Sequence, residues 1–193
     1  MAVSAADALT AQRNRMWARV GETPGGGIDF LPFWRPRPEA DGTPGAGCLS
    51  QFWPAPFAAG GTVFPTAEHY MMWRKATLFA DAGTARRILA VEDPAAAREL
   101  GRQVRGFSEQ AWTAHRFAVV LEGNLAKFGA HPDLRRFLLG TGELTLVEAS
   151  PADRVWGIGL AAEHPDAGIP GRWRGQNLLG FVLMEVRDRL RAA

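Results

Sequence analysis

At 193 residues, 47% hydrophobic and 22% charged, the chain can bury a substantial core and is short for two full domains, so one domain with at most a short N-terminal appendage is expected. A formal charge of +2 gives no argument for nucleic-acid binding, which needs a concentrated basic stripe. The single cysteine, Cys48, excludes an internal disulfide and belongs to no zinc-ligand spacing. With no basic flank ahead of an apolar run at the start and no stretch long enough to span a bilayer, the expectation is a cytoplasmic protein, neither exported nor membrane-bound.

In chain order, Ala5, Ala6, Leu9, Met16, Trp17 and Val20 give an amphipathic helix from Ser4 to Val20, and the glycines of Gly21 to Gly27 break it. Residues 1–27 are read as an N-terminal helical extension and 28–193 as the main domain. Ile28 to Trp34 reads as a short strand that Pro32 confines to an edge or end. Arg35 to Gly47 is a proline- and glycine-rich loop of a length that suits covering or lining a site. Leu49 to Trp53 and Thr62 to Phe64 read as two short strands, with Gly60-Gly61 as turn residues.

Next comes the stretch on which the chain centres, Phe64 to Lys75. Pro65 disfavours a helical residue before it and Thr66 can accept from first-turn amides, so a helix starts here. Glu68 and Lys75 are seven residues apart and share a face, with roughly 10 Å between them along the axis. Asp93-Pro94 opens a further helix to about Val104, Ser108 caps a long one ending at Gly129, and Pro132 opens a short one through Leu139. Leu144 to Ala149 is a strand. Ser150 to Gly175 is irregular, long for a structureless connection and so a functional suspect. Asn177 is placed to cap a final helix, Leu178 to Arg191. The outcome is a mostly helical α+β single domain with a few short strands and no internal repeats.

Glu68, Lys75, Trp112 and Asp153 are the residues suited to chemistry. Each has a plainer reading: a charge complementing the helix dipole, a solvated lysine, a core tryptophan, a turn aspartate bonding its own backbone. The histidines His69, His115, His131 and His164 form no paired metal spacing, and Gly25-Gly26-Gly27 lacks the lysine and helix of a phosphate loop. No metal and no cofactor is implied.

Taken together these segments resemble the NADAR family. The match is carried by Leu49-Ser50-Gln51-Phe52, by Pro65-Thr66-Ala67-Glu68-His69-Tyr70 with Lys75, by Ala126-Lys127-Phe128 and by Leu146-Val147-Glu148 with Asp153. Trp156-Gly157, Gly175-Gln176-Asn177-Leu178-Leu179-Gly180 and Leu183-Met184-Glu185-Val186-Arg187 complete it. The resemblance implies an N-glycosidase acting on a small ribosyl nucleotide. YbiA-like members act on early riboflavin-pathway intermediates, and others remove ADP-ribose from guanine in nucleic acid. A non-catalytic module binding ADP-ribose or NAD is the alternative from another class. By motif position Glu68, Trp112, Asp153 and Lys75 carry over as catalytic residues. Phe33, Ser50, Gln51, Tyr70, Trp156, Gly157 and Asn177 carry over as substrate-binding ones. Gln51 and the Met71-Met72 pair depart from the family pattern, implying a changed polarity around the ligand.

Those residue types suit the reaction. Cleaving a ribosyl C–N bond builds positive charge on the sugar, which a carboxylate stabilises, while the leaving nitrogen gains a proton. On this reading Asp153 faces the sugar and its attacking water, and Glu68 carries a proton or accepts from a ribose hydroxyl. Trp112 stacks on the base, and Lys75 holds a phosphate or attacks the opened ribose to form a Schiff base.

Overall fold

The computed structural model describes residues 4–193, so residues 1–3 of the expected extension lie outside the described residues. In chain order the elements are α1 (Ala5–Glu22), β1 (Phe30–Phe33), β2 (Phe57–Ala59), β3 (Thr62–Phe64), α2 (Ala67–Leu78), α3 (Ala82–Leu89), α4 (Pro94–Arg102), α5 (Glu109–Ala130), α6 (Pro132–Gly140), β4 (Thr145–Glu148) and α7 (Leu178–Ala192). The fold is α+β and mostly helical, as expected. Among the described residues no helix is long and apolar enough to cross a membrane.

The described chain forms two compact units, residues 4–50 with 133–193, and residues 51–132. In the first, β1 and β4 pair in parallel with Pro32 opposite Val147. α7 packs on β4 and α1 on α7. The approach of α7 is close enough that a Cβ at Gly180 would stand 2.1 Å from the Leu146 carbonyl oxygen, which glycine alone avoids. Val147, Ile158, Leu160 and Ala167 form a core cluster against which Phe30 and Trp173 pack. Cys48 is fully buried, in a single 3-10 turn at Ala46–Leu49.

In the second unit β2 and β3 form a hairpin whose turn, Gly60-Gly61, has positive φ at both residues (56° and 78°), the geometry glycine makes accessible. α2 packs against α3, α4 and α5. Beneath the hairpin Phe57, Phe64, Tyr70 and Trp73 form an aromatic cluster, with Phe64 and Tyr70 edge to face at 5.1 Å.

Two expectations need correction, and one helix is an addition to them. Leu49 to Trp53 is not a strand: the chain there is the 3-10 turn and then turns at Gln51-Phe52, and the partner of β3 is Phe57–Ala59. The tight path explains it, since a Cβ at Gly47 would meet the Arg37 carbonyl oxygen at 2.1 Å, and Pro54 and Pro56 offer no amide to a ladder. The α3 helix was not anticipated; Asp81 caps it, its carboxylate accepting from Thr84 N at 3.1 Å. Finally, Asn177 stands at the start of α7 with left-handed φ 53°, but its side chain does not cap the helix. It reaches β4 instead, accepting from Glu148 N and donating to Leu146 O, both at 2.9 Å.

Candidate functional site

Thr66 sets the direction of α2. Its hydroxyl accepts from His69 N at 3.4 Å and lies 2.8 Å from His69 Nδ1, and Glu68 falls in the first turn. The Glu68 amide donates to Gln51 O at 3.0 Å, pinning the turn before the hairpin to the helix start, and the Glu68 side chain is only 3% exposed. A carboxylate so buried at a helix N-terminus is favoured by the exposed amides there.

Two turns further along α2, Lys75 is half-buried with Nζ 4.2 Å from the Phe107 ring centre and 5.9 Å from that of Trp112. Burial pushes its amine pKa below the ordinary lysine value, and Arg102 adds to the shift. Glu109 and Glu68 pull the other way, Glu109 more strongly. Trp112 lies one turn into α5, 7% exposed, where Ser108 caps the helix by accepting from Ala111 N. Lys75 and Trp112 thus belong to one cluster of the second unit, with Glu68 on the same helix acting on the Lys75 charge. The cluster also contains Phe107, which sequence reasoning passed over. Phe107 directly precedes the cap Ser108, a position where an apolar residue often packs back on the helix, and that signal would have found it.

Two other expected binding residues of this unit take structural positions. Gln51 is buried with Nε2 donating to Asn124 Oδ1 at 3.2 Å, while its Oε1 has no partner among the described residues. Asn124 in turn donates to Val120 O at 2.8 Å, so Gln51 is oriented by α5 with its acceptor unused. Tyr70 is wedged in the aromatic cluster, its hydroxyl accepting from Arg74 at 3.3 Å; burial raises its pKa. Met72 packs on α4, where a Cβ at Gly101 would stand 2.0 Å from its sulfur, so it serves the core and not the polarity of a ligand pocket.

The remaining expected residues lie in the first unit. Asp153 Oδ1 accepts from Val155 N at 2.8 Å and Trp156 N at 2.7 Å, so one oxygen organises the turn into Trp156-Gly157. Gly157 is required by close packing: a Cβ there would be 2.8 Å from Glu148 O and 3.0 Å from Asp153 O. Asn177 N donates to Gly157 O at 3.1 Å, joining that turn to the start of α7. Asp153, Trp156, Gly157 and Asn177 therefore form one connected loop system around β4. Phe33 and Ser50 are buried, and Phe33 O accepts from Ala149 N at 2.9 Å at the end of the parallel pair. No group of three or more His, Cys, Asp or Glu side chains suited to a metal occurs among the described residues.

A family model described as the NADAR domain matches residues 32–191. The chain belongs to the NADAR family. Relatives within reach of this NADAR domain include an N-glycosidase of Acanthamoeba polyphaga mimivirus, 46% identical over 65% of this chain and 74% of its own length. An N-glycosidase of Nostoc punctiforme is 33% identical over 85% of this chain and 92% of its own. The N-glycosidase YbiA of Escherichia coli is 33% identical over 75% and 81%. The NMR structure of Escherichia coli YbiA superposes with a TM-score of 0.68 and 29% identity, covering 86% of this chain and 87% of that one, so the NADAR domain here shares its fold.

Proposed function

We propose that this NADAR protein hydrolyses the N-glycosidic bond of a ribosylated base or ribosylamino-pyrimidine phosphate, such as an early intermediate of riboflavin synthesis. The observation that carries the reading is the cluster on α2 and α5: a lysine amine with lowered pKa over two aromatic rings, on the same helix as a buried carboxylate. Trp112 offers a face for the base. Glu68 accepts from a ribose hydroxyl or carries the proton that the leaving nitrogen takes up.

The lowered pKa of Lys75 supports the amine over the phosphate-holding role. In that mechanism Nζ attacks C1′ of the opened ribose, and the C1′–N bond breaks with its electron pair going to the base nitrogen, which is protonated. Water then hydrolyses the imine, returning the amine and releasing the sugar aldehyde. Asp153 carries over as a catalytic residue by motif position, and its own substitution tests it separately.

The experiment is to incubate the purified protein with the early riboflavin intermediates and, in parallel, with guanine-ADP-ribosylated DNA, following free ribose phosphate and ADP-ribose. Release from the first substrate is expected, and an adduct at Lys75 should be trapped by borohydride. Release only from the DNA would move the substrate to nucleic acid. Tight ADP-ribose binding in calorimetry with no turnover of any N-ribosyl substrate would overturn the enzymatic reading in favour of a binding module.

A further inference from the structure

The first unit contains a cleft of about 330 Å³ between α1, α7 and the start of β4. Arg187 of α7 lines it and is 3% exposed. Its Nη1 donates to Thr141 Oγ1 at 2.8 Å and Leu144 O at 2.9 Å, while among the described residues Nε has no partner. The carboxylates on the same cleft are held by other arginines: Asp188 by Arg15 at 2.6 Å, and Glu143 by Arg191 at 2.6 Å and Arg19 at 3.2 Å. Arg187 is therefore a buried cation with no ion-pair partner among the described residues.

A second group on the cleft is in the same condition. Thr145, at the first position of β4, is 1% exposed and its hydroxyl has no partner among the described residues. Buried guanidinium and hydroxyl groups are ordinarily satisfied, because leaving them bare costs the full desolvation of the group. Two such groups lining one cavity call for something that accepts hydrogen bonds and carries negative charge. Arg187 included, the lining carries four guanidinium groups against two carboxylates, both already engaged.

We propose that this cleft is a binding site for a phosphoryl group, borne either by free phosphate or by a small phosphorylated metabolite. Phosphate presents several acceptor oxygens and more than one negative charge, and the planar fork of arginine matches it. Burial and the nearby Arg191 press against the charge on Arg187, a penalty that a bound anion relieves. The α1 face supplies Gln12, Arg15 and Arg19, from a helix that precedes the residues matched by the family model, while Arg187 and Thr145 lie within them.

The test is calorimetry on the full chain at constant ionic strength, with inorganic phosphate and with glycerol 3-phosphate, chloride serving as the control. Saturable binding of either is expected, the tighter of the two identifying the source. Arg187→Met, which keeps the apolar stem, should weaken it about tenfold or more. Should Arg187→Met fail to fold, Thr145→Val combined with Arg191→Gln should weaken it to a similar degree. Absence of saturable binding at 10 mM of either ligand, or binding unchanged in the variants, overturns the proposal. Glycosidase activity is not the readout, so this result stands or falls apart from the reading of the α2–α5 cluster.

Discussion

At Gly123, inside α5, two effects oppose one another. Alanine is worth about 1 kcal/mol more than glycine in a helix interior. Against that, the added Cβ would stand 2.5 Å from Tyr70 Cδ1, 3.0 Å from Cε1 and 3.2 Å from Cγ. Tyr70 has nowhere to withdraw, being 2% exposed, with the Phe64 ring 5.1 Å away and the Phe57 ring 6.0 Å away. Overpacking costs about 1–3 kcal/mol, and a contact this short against a locked ring belongs at the upper end. Gly123→Ala is therefore expected to lose about 1–2 kcal/mol net, seen as a drop of roughly 2–8 °C in Tm. Gly129→Ala, in the last turn of the same helix with nothing within 4 Å, serves as the control and should gain about 0.5–1 kcal/mol. Urea unfolding followed by circular dichroism measures both. Because α2 must shift to relieve Tyr70, Lys75 also moves against Trp112, and turnover should fall more than the small loss in stability explains. A Gly123→Ala protein as stable as the parent would refute the close α2–α5 packing from which the figure is worked.

Lys75→Met should abolish any borohydride-trapped adduct while leaving the protein at least as stable, because a half-buried ammonium is removed. Its folded pKa lies below the ordinary value of 10.5, so between the two the unfolded chain holds more protons. Stability attributable to Lys75 therefore rises with pH across that window, and the rise should vanish in Lys75→Met when unfolding is measured against pH. Asp153→Asn keeps the acceptor that organises the Val155 and Trp156 amides, so Tm should hold while kcat falls at least tenfold; an unchanged kcat would reduce Asp153 to a turn residue. Asn177→Ala leaves the Leu146 carbonyl and Glu148 amide without their partner and puts alanine at φ 53°, so a loss of about 2–4 kcal/mol is expected in urea unfolding, and a loss below 1 would contradict the clamp.

Helix starts were legible because they rest on local chemistry: Ser4, Thr66, Asp93 and Ser108 each accept from an amide of their own first turn. The α3 helix had the same signal in Asp81 and Thr84. It was hidden by the abruptness of the turn from α2, which Ala80 makes at φ 55°, a conformation alanine seldom adopts and no local pattern announces. The misplaced strand has a similar origin, since Leu49 to Trp53 is apolar enough for a strand but follows Gly47, whose close approach to Arg37 is a tertiary fact. In the site, the shared face of Glu68 and Lys75 follows from helix period alone. The rings over Lys75 come partly from a segment 32 residues on, Phe107, and sequence spacing does not encode that meeting. Asn177 was placed correctly as a helix start and wrongly as its cap, because only the folded chain shows that β4 competes for its amide.

The lone thiol at Cys48 gives the first unit an internal reporter. Being fully buried, it reacts with an aromatic disulfide only when the segment around the 3-10 turn at Ala46–Leu49 opens. Its labelling rate, set against that of the denatured chain, reads out the frequency of that opening without any introduced probe. The same burial keeps stored protein from cross-linking through cysteine, so a covalent dimer accumulating in air would count openings of this segment.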